Sequence, residues 1–145
     1  MGELQISDIA HVIQLAVAPV FMLTAVGTII AALNIRLGRA VDRRRVLEER
    51  LGELGDLDAQ GAREELLQIA SRIRTVYFAI LFAVLAGLFV CLLIAGAFIG
   101  AFVAANLSRM IGALFVLAML ALIACLLLFL REIFLAVTTP RHAPR

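Results

Sequence analysis

Apolar residues dominate three stretches of the chain, Val12 to Leu33, Val76 to Ala105 and Met110 to Leu130, and the last two carry no formal charge. Each is long enough to supply the helix of about 20 residues that crosses a hydrocarbon layer roughly 30 Å thick. The first passes without a helix stop into Asn34-Ile35-Arg36-Leu37-Gly38-Arg39-Ala40-Val41-Asp42 and then Arg43-Arg44-Arg45. Beyond that point Ala40, Leu47, Leu51 and Leu54 recur at helical spacing. Arg44 interrupts the seam and the opposite face is charged, which predicts an amphipathic helix. Gly55 to Gly61 predicts a turn by composition. Leu66, Ile69, Ile73 and Val76 then resume the helical period and run into the second apolar stretch.

The pattern predicts an all-α integral membrane protein: three transmembrane helices, with a cytoplasmic antiparallel helical hairpin between the first and second. Its segments are 1–35 for a short outer tail and the first span, 36–74 for the charged hairpin, and 75–105 for the second span. An outer turn follows at 106–109, a third span at 110–132 and a cytoplasmic tail at 133–145. Ser7 and Asp8 suit a helix start and place it near Ile9. Pro19 removes a backbone donor within the first span and predicts a kink. The hairpin arms come to about 19 and 13 residues, the first reaching roughly 28 Å. Asn106-Leu107-Ser108-Arg109 is too short for anything but adjacent antiparallel helices, with Ser108 as the N-cap of the third.

Composition agrees with this reading: the chain of 145 residues is 63% hydrophobic and only 17% charged, with a mean hydropathy of +1.05. All 13 basic residues are arginine. They lie between spans one and two, from Arg36 to Arg74, or after span three, apart from Arg109 in the short turn. The positive-inside rule then puts the N-terminus and that turn outside, and the hairpin and C-terminus in the cytoplasm. An acidic N-tail, with Glu3 and Asp8, and arginines placed after the apolar run argue against a cleaved secretory signal. Acids from Asp42 to Glu65 nearly balance the arginines of the hairpin, which argues against nucleic acid as a partner. Attraction of Arg43, Arg44 and Arg45 to anionic lipid headgroups or a protein partner remains open. Arg44 with Glu48 and Arg45 with Glu49 have the spacing of helical ion pairs.

No constellation in the sequence names a reaction. His11 and His142 fall on opposite sides of the membrane and cannot build a zinc site. Cys91 and Cys125 lie in apolar spans, where thiols behave as small hydrophobes. Asp56-x-Asp58-x-Gln60-Gly61 begins like a calcium loop, but the position of the bidentate acid falls on Leu67, so a solvated turn is favoured. No catalytic, cofactor-binding or metal residues are expected, and no cofactor or small-molecule substrate. An enzyme or an active transporter is disfavoured, because no acid or base lies deep in a span.

Two sets of residues remain. Gln14, Ala18, Phe21, Ala25, Thr28, Ala32, Ile35, Arg39 and Asp42 fall on one stripe of the first helix. This is the least greasy surface within the membrane, and it faces either the other helices or a water-filled path. In the second case Arg39 and Asp42 form rings of charge at the inner mouth of a pore. Small residues recur four apart in span two, at Ala79, Ala83 and Gly87 and again at Gly96, Gly100 and Ala104. That ridge allows close helix packing, within the chain or between copies in a homo-oligomer.

Ala16-Val17-Ala18-Pro19-Val20, Leu23-Thr24-Ala25-Val26-Gly27 and Asn34-Ile35-Arg36-Leu37-Gly38-Arg39-Ala40-Val41-Asp42-Arg43 together resemble the signature of a bacterial membrane family, the domain of unknown function 2721. The resemblance covers nearly the whole chain. It implies the three-span topology and a bacterial inner-membrane location, and it adds no site residues. Two readings are left: a homo-oligomer that forms a passive ion or solute channel along span one, or a non-conducting scaffold whose hairpin binds a protein partner or anionic lipid.

Overall fold

The computed structural model describes residues 2–52, 56–103 and 107–138, and all of them except Gly52 and Leu107 are helical. Three helices follow in order: α1 over Gly2–Leu51, α2 over Asp56–Val103 and α3 over Ser108–Thr138. Leu54, Gly55, Ala104, Asn106 and His142 lie outside the described residues. Each helix contains a segment long and apolar enough to span a membrane, within Ala16–Leu51, Ala59–Val103 and Ser108–Leu135. The chain is a multi-pass membrane protein.

Helix boundaries differ from the sequence expectation in three places. α1 begins at Gly2, not near Ile9, so Ser7 and Asp8 lie inside the helix instead of capping it. Glu3, Leu4 and Gln5 are good helix formers, and an acid near the N-terminus complements the helix dipole. The second difference is the expected turn: α2 starts at Asp56, so Asp56 to Gly61 are helical. Aspartates mark both turns and first helical turns, and here the neighbouring Ala59, Gln60 and Ala62 favour the helix. Gly61 costs that helix about 1 kcal/mol relative to alanine. With α1 ending at Leu51 and α2 starting at Asp56, the hairpin arms are 36–51 and 56–74, so the second and not the first is the longer, and the calcium-like spacing sits on a helix. α1 runs without interruption through Pro19. Ile111 N–H donates to Leu107 O at 3.0 Å, which makes Leu107 the N-cap and sets Ser108 one residue inside α3.

The chain divides into two compact units. One comprises Met1–Ile30 and Phe82–Ala124. Its buried positions are small or β-branched for the most part: Val26, Ala83, Ala86, Val90, Leu93, Ala118 and Ala121. A Cβ on Gly87 would meet Val26 Cγ1 at 3.7 Å and Leu23 Cδ2 at 3.9 Å, and one on Gly96 would meet Met110 Cε at 3.3 Å. The small-residue ridge of α2 therefore packs against α1 at Gly87 and against α3 at Gly96, inside the chain. Ala83 is fully buried and Gly100 half-buried on the same helix.

The other unit comprises Ala31–Leu81 and Cys125–Arg145. Leu33, Val76, Ala79 and Cys125 are almost entirely buried in it, with Ala62 and Ile69 close behind. Among the described residues, its buried polar ones are Thr75 and Glu132. Thr75 Oγ1 donates to the carbonyl of Ser71 at 3.1 Å and so is satisfied within its own helix. Glu132 is a different matter, because an ionised carboxylate is costly to bury unless it is paired.

Candidate functional site

Arginines tie the three helices of this second unit together pairwise. Arg43 of α1 donates through Nε and Nη2 to Oε1 of Glu65 on α2, at 3.0 and 2.7 Å. Arg72 of α2 donates through the same two nitrogens to Oε1 of Glu132 on α3, at 3.1 and 2.9 Å. Arg36 of α1 lies over the ring of Phe129 on α3, with its guanidinium carbon 5.1 Å from the ring centroid. That geometry is within the range of a cation–π contact.

These ties differ in environment. The Arg43–Glu65 side chains are 61% and 41% exposed, and an ion pair so placed contributes little. In the Arg72–Glu132 pair the side chains are 34% and 6% exposed. Oε2 of Glu132 is buried with no hydrogen-bond partner, so the carboxylate is held by one oxygen alone. Arg72 is the group that compensates its burial, and neither member is replaceable singly at low cost.

Arg36, Arg39 and Arg43 recur at helical spacing on α1, and with Ala40, Ile69, Arg72 and Glu132 they line a cleft of about 360 Å³. The lining carries four guanidinium groups against one carboxylate. Among the described residues, neither Arg36 nor Arg39 has a carboxylate partner, whereas Arg43, Arg44 and Arg45 each have one. Arg44–Glu48 and Arg45–Glu49, at 2.7 and 3.2 Å, are the helical ion pairs expected from the spacing. Arg36 and Arg39 thus lie nearer the apolar part of α1 than the Arg43-Arg44-Arg45 run.

The stripe on α1 stays largely outside the packing of the chain. Gln14, Ala18, Phe21, Ala25, Thr28, Ile35, Arg39 and Asp42 are exposed and Ala32 is half-buried. Arg39 alone of these lines the cleft. Thr28 Oγ1 donates to the carbonyl of Thr24 at 3.0 Å, and Thr24 Oγ1 to that of Val20 at 3.4 Å. Hydroxyls bonded back to their own helix require neither water nor a neighbouring helix. Gln14 is left as the polar group of the stripe's apolar part without such a bond among the described residues. Asn34, also exposed, lies on a neighbouring face.

A family model for proteins of unknown function, DUF2721, matches residues 16–142. The chain belongs to this family. No curated protein and no solved structure matches it. For this DUF2721 chain the family assigns no residue a role, and the membrane architecture rests on the three long apolar helices.

Sequence reasoning missed Arg72 and Glu132, the most deeply placed charge pair of this DUF2721 chain. A signal was present: Glu132 is the one acid in the whole of α3, set between Arg131 and Ile133 where its apolar run ends. An acid at such a position needs a cation from another helix. Arg72 lies on the arm of α2 that leads into its apolar segment, where spacing alone does not separate it from Arg74.

Proposed function

We propose that this protein is a non-conducting scaffold of the bacterial inner membrane, with its N-terminus outside and its arginine-rich unit in the cytoplasm, where it engages an anionic surface. The observation that supports this reading is the pair of arginines, Arg36 and Arg39, that have no carboxylate partner among the described residues while Arg43, Arg44 and Arg45 each have one. Uncompensated guanidinium groups next to an apolar segment suit the negative inner leaflet, at about 1 kcal/mol per basic residue near the surface. Purified protein in liposomes is expected to pass no entrapped ion or small tracer under an imposed gradient. It is also expected to show a thermal stability that rises with the fraction of anionic lipid. A tracer flux that Gln14→Leu abolishes would overturn the scaffold.

The second reading is a homo-oligomeric passive channel lined by α1, and what favours it is the exposed stripe. Gln14 carries a side-chain amide that hydrocarbon cannot satisfy, and a second copy or a water-filled path would satisfy it. The back-bonded threonines count against the path. Chemical crosslinking through a cysteine placed at Ala18 or Ala25, with flux measured on the same preparation, separates a dry oligomer from a conducting one.

A further inference from the structure

We infer that the cleft lined by Arg36, Arg39, Arg43 and Arg72 is a discrete binding site for one phosphate group. The inference rests on the anionic-surface reading above and narrows it, from a diffuse attraction to a single cavity with named ligating groups.

Four guanidinium groups brought to one cavity of about 360 Å³ repel one another. Glu132 opposes them from within the lining and Glu65 neutralises Arg43 from beside it, which leaves Arg36 and Arg39 without a carboxylate partner among the described residues. The arrangement is one that an anion relieves. Phosphate suits it in geometry as well as in charge, because planar guanidinium forks match phosphate oxygens and bind them in bidentate fashion.

The anchoring of the arginines leaves donors available. Arg43 and Arg72 each spend Nε and Nη2 on a single glutamate oxygen, so the remaining N–H groups of each are uncommitted to those carboxylates. Arg36 sits over the ring of Phe129 with its guanidinium carbon 5.1 Å from the centroid, and that contact uses the cation's charge without taking an oxygen acceptor for its N–H groups. Arg39 is exposed and supplies the mobile contact. Glu65 and Glu132 are positioning residues: they fix two of the arginines without consuming them. Glu132 does so from a buried position, which restricts Arg72 to one orientation.

The cavity's surroundings bear on the source of the phosphate. Within the same unit Leu33 and Val76, each about one turn from a cleft arginine, are almost entirely buried. Arg36 and Arg72 therefore stand at the junction of apolar and charged sequence, the level at which a phospholipid carries its phosphate. A soluble phosphate compound presents the same group to the same arginines.

The test uses the full chain in detergent, with native mass spectrometry and equilibrium titration as readouts. The probes are phosphatidylglycerol and phosphatidic acid, with phosphatidylcholine of the same acyl chains as control and inorganic phosphate as competitor. Two double variants remove equal charge: Arg36→Gln with Arg39→Gln inside the cleft, and Arg44→Gln with Arg45→Gln outside it. The expected result is one tightly bound anionic lipid per chain, weakened about tenfold or more by the cleft pair and unchanged by the outer pair. Arg39→Gln alone, at an exposed residue, is expected to weaken binding severalfold, which keeps the test valid if the double variant fails to fold. Displacement by millimolar inorganic phosphate, or phosphate binding with the same arginine dependence, supports the site and assigns it a soluble ligand. Equal weakening by both double variants overturns the cleft but leaves the anionic surface standing. Indifference to anionic lipid in every variant overturns both.

Discussion

Arg72 gives two hydrogen bonds to one oxygen of Glu132 and none to the other, so a buried carboxylate is held asymmetrically between α2 and α3. Removing either charge alone strands the other. Arg72→Met is expected to lower stability by about 2 to 3 kcal/mol, less than for a fully enclosed pair because the arginine is partly exposed. Adding Glu132→Leu to it is expected to restore most of that loss, since apolar replacement of both partners removes the desolvation cost. Unfolding of the single and double variants in detergent micelles measures the cycle, and simple additivity would contradict it.

Arg43→Gln breaks the other carboxylate tie, Arg43–Glu65, and is expected to cost under about 1 kcal/mol because both partners are exposed. Its effect should fade as salt is raised, whereas that of Arg72→Met should change little. Denaturation at low and high ionic strength compares the two directly.

Gly61 is helical with open space where a Cβ would lie. Gly61→Ala is expected to stabilise the start of α2 by about 0.5 to 1 kcal/mol. Slower hydrogen exchange at the backbone amides after Gly61 would register the gain. If the segment were a turn instead, the substitution would bring no such protection.

Gly87 has room for a methyl group but not for much more, with Val26 Cγ1 and Leu23 Cδ2 already at contact distance from a Cβ. Gly87→Ala is expected to be tolerated, while Gly87→Leu forces α1 and α2 apart at a cost of about 1 to 3 kcal/mol. Melting temperatures of the two variants in the same detergent decide it. Equal, small effects would mean that this face of α2 is not packed against α1.

Cys91 is exposed and Cys125 is buried. Cys91 faces outward from the apolar part of α2, where detergent and not water covers it, so a small maleimide is expected to modify neither thiol in micelles and both on unfolding. Mass mapping of the modified peptides, with Cys91→Ser as reference, follows both sites.

Much of the architecture was legible because hydrophobic runs and helical ion pairs are local signals. The three apolar segments, the Arg44–Glu48 and Arg45–Glu49 pairs and the small ridge through Gly87 and Gly96 all follow from spacing along one helix. Helix ends were less legible. Asp56 and Gly61 carry composition common to a turn and to a first helical turn, and only continuation of the α2 backbone separates the two. The cleft was the least legible part, because Arg36, Arg72 and Glu132 are drawn together from three helices. Spacing on α1 registered Arg39 as part of a stripe and gave no hint that Arg72 stood opposite it.

The three arginine contacts of the second unit are unequal in what they withstand. Salt weakens the exposed bond between Arg43 and Glu65 well before it reaches a buried carboxylate or a ring face. What persists in brine is Arg72 on Glu132 and Arg36 on Phe129, and both acceptors belong to α3. The last helix, poorest in charge, is therefore the keystone of the most charged part of the molecule. Clipping it ahead of Phe129 would leave its two neighbours joined by their most salt-labile contact.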